Sequence, residues 1–477
     1  MIKELKKNDE IEIEIEDISV DGSGIGHYEG MAVFIPGAVP GDLVRAGITK
    51  VRKNILFARL ISIIKPSKDR VDPPCRARQC GGCQLQELSY EKQLEWKENQ
   101  VRSDLIRIGG FSPEEADRVM RPIIGMESPV RYRNKAQYPV GWSRDNKIVS
   151  GFYARRSHRI IPVEDCILGD PRNQNINRAV ISFMEKYGIQ PYDELNHTGL
   201  IRHILIRTAH ESGQIMVCLI INGDRLDHEK ELVKALKEAE PSISSISFNI
   251  NKRRDNVILG EKTVTIYGSG RINDSIGDVR FSISPQSFFQ VNPFQTEKLY
   301  SKALEYASLT GREVVWDLYC GAGTISLFLA RHAKKVYGIE IVPEAVRDAI
   351  RNAEMNGIDN AAFFTGRVED VLPDFYANAG RRAAGAICRN ATIDEAARHP
   401  DVIVVDPPRK GLDEKCLSTM IEMKPDRIVY VSCNPSTLAR DLAVLTANGY
   451  ELREVTPVDQ FGLTVHVETV ALLIRQN

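Results

Sequence analysis

The stretch Trp316-Asp-Leu-Tyr-Cys-Gly-Ala-Gly323 decides the fold of the C-terminal half of this chain. Its apolar start continues a run from Glu313 and predicts a strand, and its two glycines predict a tight loop. The residues from Thr324 to His332 have helical composition, so the loop leads directly into a helix. A strand, a glycine loop and a helix start are typical of a cradle for a nucleotide cofactor.

The same alternation of strand and helix patterns continues from this stretch to the C-terminus. The predicted strands are Glu313 to Tyr319, Lys335 to Ile339, Ala362 to Thr365, Val402 to Val405 and Arg427 to Ser432, and the predicted helices are Thr324 to His332 and Pro343 to Asn356. Near-continuous apolar strands in this order predict a Rossmann-like, doubly wound parallel sheet over residues 269–477. Ligands of such sheets bind beyond the carboxyl ends of the strands, so we expect the site there.

The glycine loop lacks two features of the common phosphate-binding loops. It has no third glycine of a dinucleotide motif, and no Gly-Lys-Ser/Thr of a phosphate loop follows it. Glu340 ends the next strand, where a carboxylate accepts hydrogen bonds from ribose hydroxyls. This combination suits a nucleoside cofactor without a pyrophosphate, and S-adenosylmethionine is the obvious candidate. Gly321 and Gly323 would let the backbone approach the methionine part, and Glu369 or Asp370 could face the adenine.

Several reactive side chains are predicted at the same edge of the sheet. Asp406 begins Asp406-Pro-Pro-Arg-Lys-Gly411 after one strand, and Cys433 follows the next strand. Gln290 lies just before the sheet begins, and Glu468 lies within the last strand region. A carboxylate in an otherwise apolar strand needs a reason, which is either a function or an ion pair at an edge strand.

A thiolate and a carboxylate are the two groups that methylation of a pyrimidine at carbon 5 requires. Carbon 5 is not nucleophilic until a thiolate adds to carbon 6, and a base must afterwards remove the carbon-5 proton. The two groups must lie on opposite sides of one ring. Cys433 and Glu468 are the candidates for them.

Residues 1–66 predict a small β-barrel. Glu10-Ile-Glu-Ile-Glu-Ile-Glu16 alternates strictly, and turn signals separate roughly five strands. This pattern is typical of an oligonucleotide-binding barrel, although a purely structural barrel has the same pattern. Residues 67–268 predict a mixed α/β central domain that contains the helix His228 to Glu240. Residues 374–400 predict a surface insertion with a short helix.

The bulk properties limit the class of protein. A chain of 477 residues is too long for one core, so we expect two to three domains. No apolar run is long enough to cross a membrane and no signal peptide is evident, so we expect a cytoplasmic protein without a membrane partner. The net charge is −1, so any contact with nucleic acid depends on local basic patches. Four patches exist, and each is equally well explained as a solvated loop: Lys50–Lys53, Arg131–Lys135, Arg155–Arg159 and Lys252–Arg254.

Three cysteines occur within nine residues, at Cys75, Cys80 and Cys83, and Cys166 is a candidate fourth. An odd total of nine cysteines in a chain of this type favours metal binding or catalysis over disulfides. Four thiols suit a zinc ion and an iron–sulfur cluster equally well. The residues alone leave that choice open.

Four motifs together resemble the RNA (uracil-5-)-methyltransferase family, and the resemblance spans nearly the whole chain. The motifs are Asp317-Leu-Tyr-Cys-Gly-Ala-Gly, Asp406-Pro-Pro-Arg-Lys-Gly, Val431-Ser-Cys-Asn-Pro-Ser-Thr-Leu-Ala-Arg-Asp441 and Gly462-Leu-Thr-Val-His-Val-Glu468. The resemblance implies that Cys433 is the nucleophile and Glu468 the proton-abstracting base. It also implies that the cofactor-binding residues are Gln290, Tyr319, Glu340 and Asp406, to which loop geometry adds Gly321.

The resemblance also implies the remaining parts of the protein. The N-terminal barrel resembles a TRAM domain, and family members that act on ribosomal RNA carry a 4Fe–4S cluster on three clustered cysteines and one distant cysteine. The cluster ligands would therefore be Cys75, Cys80, Cys83 and Cys166. Members that act on transfer RNA usually lack both parts, so the implied partner is 23S-type ribosomal RNA, bound by a monomer. The helix at about 87–110 is expected to pack on the catalytic domain.

Four other functions share some of these sequence features. A transfer-RNA uracil-5 methyltransferase and a non-catalytic RNA-binding or ribosome-assembly factor remain alternatives. An RNA cytosine-5 methyltransferase typically has a second cysteine just after its aspartate-proline motif, where this chain has Pro408 and Arg409. An amino-group methyltransferase usually has an aromatic residue after the paired prolines, at the position of Arg409.

Overall fold

The computed structural model describes residues 5–377 and 395–476, which form four β-sheets with flanking helices. Most of the predicted insertion at 374–400 therefore lies outside the described residues, although Glu395–Arg398 forms a 3-10 helix. No helix within the described ranges is long and apolar enough to cross a membrane.

The N-terminal sheet has six strands in the order β1-β5-β6-β4-β3-β2. The strands are β1 Glu10–Glu14, β2 Asp17–Ile18, β3 Ser23–Tyr28, β4 Met31–Pro36, β5 Leu43–Val51 and β6 Ile55–Lys65. The alternating isoleucines of β1 are buried and its glutamates are exposed, as the period-two pattern predicted. The backbone N–H of Glu16 donates to the carbonyl of Ile25, which brings β3 beside the chain that leaves β1.

The central sheet has seven strands in the order β13-β12-β11-β10-β7-β8-β9. Its strands are β7 Lys135–Trp142, β8 Ile148–Tyr153, β9 Ile160–Pro162, β10 Ile201–Thr208, β11 Ile215–Ile221, β12 Ile243–Ile250 and β13 Lys262–Gly268. The helices α3 Asn173–Tyr187 and α4 Glu229–Ala239 share one apolar core with this sheet. Two helices, α1 Tyr90–Arg107 and α2 Pro113–Val119, precede it in the chain.

The C-terminal sheet has seven strands in the order β18-β17-β16-β19-β20-β22-β21. After a hairpin of β14 Ile272–Ile276 and β15 Val279–Ile283, its strands are β16 Val314–Leu318, β17 Lys335–Glu340, β18 Ala361–Thr365, β19 Val402–Val405, β20 Arg427–Ser432, β21 Tyr450–Val458 and β22 Glu468–Arg475. Five strands are parallel, as predicted, but β22 pairs antiparallel with both β20 and β21. The antiparallel pair therefore lies at one edge of an otherwise parallel sheet.

Helices cover both faces of this sheet. They are α5 Pro293–Ala307, α6 Thr324–Ala330, α7 Pro343–Met355, α8 Val368–Ala377, α9 Glu414–Met423 and α10 Pro435–Ala447. The first three share an apolar core with one face, and the last three share a core with the other. Val101 and Leu105 of α1 are fully buried in the second of these cores, so α1 packs on the C-terminal sheet although it precedes the central sheet in sequence.

Gly323 shows why the loop after β16 needs glycine. It precedes α6 with φ +78°, and a Cβ atom there would lie 3.0 Å from the Cβ of Ala349 and 3.2 Å from the ring of Phe363. Gly357 has a similar φ of +64°, but a Cβ atom there would meet nothing within 4 Å.

We expect Gly323→Ala to lower the free energy of unfolding by about 2–4 kcal/mol, because it adds overpacking to the strain of a left-handed backbone. The control Gly357→Ala has only the backbone strain and should cost about 1–2 kcal/mol. Urea titrations of both variants measure the difference. Equal losses in the two variants would contradict the packing argument.

Candidate active site

Cys433 lies in the short connection between β20 and α10, and its side chain is half-buried. The connection is tightly bonded: Asn434 caps α10 by accepting from the backbone N–H of Ser436 at 3.2 Å, and its Nδ2 donates to the carbonyl of Arg409 at 2.9 Å. The loop after β19 is therefore fastened to the loop that carries the thiol. Asp441 of α10 fixes the far end of the loop after β19, since its Oδ2 accepts from the backbone N–H of Leu412 at 2.8 Å.

Strand register brings Glu468 next to Cys433. Ser432, the last residue of β20, pairs with Thr469 of the antiparallel β22. Cys433 and Glu468 are the next residue on each chain, at the carboxyl edge of the sheet. Glu468 is only 4% exposed, so its carboxylate is held in a nearly dry position beside the thiol.

The charges around the thiol oppose its ionisation. Burial, followed by the carboxylates of Glu468 and Asp406, raises the pKa of Cys433 to about 11, while the Arg409 guanidinium lowers it. Burial and the neighbouring Asp406 likewise raise the pKa of Glu468, and burial raises the pKa of Asp406. Two adjacent carboxyl groups in a site of low polarity ionise less readily than carboxyl groups in water. Arg409 is the cation that acts on both Cys433 and Glu468.

Glu340, the last residue of β17, is hydrogen-bonded to the glycine loop after β16. One carboxylate oxygen of Glu340 accepts from the backbone N–H of Gly321 at 3.1 Å and the other from that of Val342 at 2.8 Å. Tyr319 has the left-handed φ of +70°, which is uncommon for a residue with a side chain and marks a constrained loop. Gly321 has φ +55° with open space where a Cβ atom would lie, so a ligand can approach its backbone.

Gln290 lies in the segment between β15 and α5. It is 6% exposed, and its backbone carbonyl accepts from Nδ2 of Asn134 at 3.0 Å, just before β7 of the central sheet. The predicted cofactor residues Tyr319, Gly321, Glu340 and Asp406 all lie at the carboxyl edge of the C-terminal sheet. Of the two candidates for adenine contact, Glu369 is buried and Asp370 is exposed.

Two residues of the site were not singled out from the sequence. Asp317 is fully buried in β16; it accepts from the hydroxyl of Ser326, its second oxygen has no partner, and burial raises its pKa to about 7. A lone carboxylate in an apolar strand was the available signal. From the sequence, Arg409 serves only to exclude another class of methyltransferase. In the structure, its guanidinium is the cation that lowers the pKa of the Cys433 thiol.

The four cysteines of the predicted cluster line one cavity of about 300 Å³. Its other walls include Arg133 and Lys135, so part of the basic patch Arg131–Lys135 faces inward rather than towards solvent. Within residues 5–377 and 395–476, no group of three or more histidine, cysteine or acidic side chains is close enough to hold a metal ion. The four cysteines therefore share a cavity, but the described side chains do not form a ready metal site.

Burial opposes the ionisation of three thiols in this cavity, those of Cys80, Cys83 and Cys166. Burial, with smaller contributions from the other cysteines, raises the pKa of Cys83 to about 12. Burial also raises the pKa of Cys80 and of Cys166. Burial and the neighbouring Arg207 and Arg133 lower the pKa of Lys135 to about 7.

The chain is similar to known proteins along its whole length. A protein of Halalkalibacterium halodurans, named as an uncharacterized RNA methyltransferase, is 49% identical over 474 residues, which are 99% of this chain and 98% of the relative. A protein of Listeria innocua with the same description is 47% identical over 98% of each chain. The crystal structure of a Pyrococcus abyssi tRNA (uracil-54, C5)-methyltransferase in complex with S-adenosyl-L-homocysteine superposes with a TM-score of 0.74 at 25% identity, covering 97% of this chain and 100% of that one.

Two family models divide the chain between them. The TRAM domain model matches residues 4–61, which include β1 to β5 and most of β6. The model described as tRNA (Uracil-5-)-methyltransferase matches residues 90–476, which include α1, the central sheet and the C-terminal sheet. The chain therefore belongs to the tRNA (uracil-5-)-methyltransferase family, as an RNA methyltransferase with an N-terminal TRAM domain.

Proposed function

We propose that this protein transfers a methyl group from S-adenosylmethionine to carbon 5 of a specific uridine in 23S ribosomal RNA. The observation that carries the proposal is the register of β20 and β22, which sets a thiol and a buried carboxylate side by side at the edge that carries the glycine loop. These are the two groups that methylation at carbon 5 needs.

In the proposed reaction, Cys433 and Glu468 take part in each step on the uracil ring, and every bond that forms is matched by one that breaks. The Cys433 thiolate forms a bond to carbon 6 of the uracil, and the electron pair of the 5,6 double bond becomes an enolate. Carbon 5 then takes the methyl group, for which S-adenosylmethionine supplies an electrophilic carbon and a neutral leaving thioether. Glu468 removes the proton from carbon 5, the double bond forms again, and the bond between carbon 6 and sulfur breaks to return the thiolate.

The electrostatics fit this order of steps. A high thiol pKa gives the attacking thiolate a high intrinsic nucleophilicity, but only a small fraction of the thiol is ionised before the cationic methyl donor and Arg409 act on it. A carboxylate whose pKa is raised by burial is a stronger base than one in water. The cofactor would be held by Gln290, Tyr319, Gly321, Glu340 and Asp406.

The choice of RNA has two candidates. The combination of barrel and cysteine cluster favours 23S ribosomal RNA, because these parts accompany ribosomal substrates in the family that the chain resembles. Transfer RNA is the second candidate, because the tRNA (uracil-54, C5)-methyltransferase from Pyrococcus abyssi matches this fold over 97% of the chain. Overall architecture therefore does not separate the two substrates.

The cysteine cavity is proposed to hold a 4Fe–4S cluster on Cys75, Cys80, Cys83 and Cys166. A zinc ion draws four sulfurs to about 2.3 Å from a single point, whereas a 4Fe–4S cluster bonds each thiolate to a different iron. The observation behind the proposal is that all four cysteines line one cavity of about 300 Å³. Arg133 and Lys135 in the cavity wall would offset its negative charge, and binding would displace the thiol protons.

The covalent step is tested with RNA that contains 5-fluorouridine, because fluorine at carbon 5 blocks proton removal and traps the adduct. We expect wild-type protein with S-adenosylmethionine to form a denaturant-stable complex with 5-fluorouridine-substituted 23S ribosomal RNA, and Cys433→Ala to form none. Substituted transfer RNA is the parallel substrate, and trapping on that RNA alone would replace the ribosomal proposal. An adduct formed by Cys433→Ala would contradict the mechanism.

The raised pKa of Cys433 predicts a pH dependence in the free protein. The thiolate is the reactive form, so its alkylation by iodoacetamide should accelerate about tenfold per pH unit between about pH 7 and about pH 9, below the thiol pKa. Glu468→Gln removes a negative neighbour and should speed the reaction at a given pH, whereas Arg409→Met should slow it. Mass spectrometry of the peptide that contains Cys433 measures the rates. Faster alkylation in Arg409→Met would contradict the assigned electrostatics.

The metal proposal predicts about four iron atoms and about four sulfides per chain in protein purified without oxygen. Cys166→Ser should lose most of the iron and the visible absorbance of the cluster. Cys218→Ser is the control, because Cys218 is fully buried in the central sheet away from the cavity lining. Retention of stoichiometric zinc instead of iron by the wild-type protein would overturn the proposal.

A further inference from the structure

The loop 459–467 joins β21 to β22 and ends at Glu468. Most of it is inside the protein: Asp459 and Gln460 are fully buried, and Leu463, Thr464 and Val467 are at most 4% exposed. Because Glu468 is the first residue of β22, the path of this loop helps to determine the position of the Glu468 carboxylate. The anchors of the loop therefore bear directly on the proposed base.

The strongest anchor is an ion pair between Lys97 of α1 and Asp459, both with fully buried side chains. Nζ of Lys97 lies 2.5 Å from Oδ1 of Asp459 and also donates to the carbonyl of Phe461 at 3.0 Å. The hydroxyl of Tyr90 donates to Oδ2 of the same aspartate at 2.7 Å. One helix thus holds the first residue of the loop and its third residue.

The loop needs these anchors because its conformation is not one that its own residues favour. Leu463 has the left-handed φ of +64°, which costs about 1–3 kcal/mol for a residue with a side chain. Its backbone N–H donates to Oε1 of Gln93 on α1 at 3.1 Å, and its carbonyl accepts from the N–H of Leu85 at 3.0 Å. The TRAM domain adds a contact, since Val465 packs against an apolar cluster that includes Ile18 and Val39.

A buried ion pair is a poor device for stability alone. Two charges lose their hydration on burial, and apolar replacements of similar volume are often neutral or stabilising. What the pair provides is a fixed direction and distance between two elements. Lys97 and Asp459 are 362 residues apart in sequence and join α1 to the chain immediately before Glu468.

We propose that the Lys97–Asp459 ion pair positions Glu468 for removal of the carbon-5 proton. The proposal rests on the proposed function, in which Glu468 is the base. The thiol and the glycine loop are anchored elsewhere, by α10 and by Glu340. Lys97 therefore acts on the second half of turnover, after thiolate addition and methyl transfer.

The two halves of turnover are measured separately with a doubly labelled reaction. The substrate is an unmodified 23S ribosomal RNA transcript with tritium at carbon 5 of its uridines, mixed with enzyme in excess and carbon-14-methyl S-adenosylmethionine. Methyl transfer is measured as carbon-14 bound to RNA, free or in a denaturant-stable adduct, and proton removal is measured as tritium released to water. In Lys97→Met we expect methyl transfer at about the wild-type rate and tritium release slowed by about 10- to 100-fold, with the methylated adduct accumulating.

Two further variants separate positioning from stability. Lys97→Met with Asp459→Leu removes the orphaned carboxylate, so it should recover most of the lost thermal stability and still release tritium slowly. Arg70→Met breaks a comparable pair in the barrel, where Arg70 lies 2.6 Å from the fully buried Asp42. It should lose stability without changing the ratio of methyl transfer to tritium release.

Each outcome of the experiment decides the proposal. Parallel slowing of both steps in Lys97→Met, or normal tritium release in the double variant, would mean that the ion pair only stabilises the fold. Glu468→Gln is run beside them as the reference for a missing base. If that variant releases tritium at the wild-type rate, the assignment of Glu468 under the proposed function is wrong, whatever the Lys97 variants show.

Discussion

The site depends on one pairing, the antiparallel register of β20 with β22. Cys433 lies in the connection after β20 and Glu468 is the first residue of β22, and the proposed mechanism needs both. Pairing Ser432 with Thr469 makes them neighbours at the end of the ladder. A shift by one residue would turn Glu468 to the other face of the sheet, since side chains alternate along a strand. The packed helices on both faces, and the anchors of the loop 459–467, all oppose such a shift.

The same edge of the sheet concentrates negative charge. Burial raises the pKa of Asp317, Asp406 and Glu468, and the charge of Asp406 raises the pKa of the other two further. Buried negative charges at one edge of a sheet are unfavourable unless a cation compensates them. Arg409 supplies part of the compensation, and a positively charged methyl donor would supply more. The excess negative charge at this edge therefore suits a positively charged methyl donor.

The sequence predicted the parts that have local signatures. The predicted strand Arg427 to Ser432 matches β20 residue for residue, and the glycine loop lies between β16 and α6 as expected. Long-range features escaped prediction: the antiparallel insertion of β22, and the pairing of Lys97 with Asp459, have no local pattern. The basic patch Arg131–Lys135 could not be placed either, because a run of cations is usually solvated, whereas Arg133 and Lys135 line a cavity.

The packing of Val465 against an apolar cluster that contains Ile18 and Val39 gives the TRAM domain a second role besides any binding of RNA. Arg155 and Arg156 of the central region both pair with Asp21 of the same domain. Removal of the TRAM domain would expose an apolar side chain three residues before Glu468. The domain is packed on the loop that leads to Glu468, so a substitution on either side of this contact would disturb the packing of the other side.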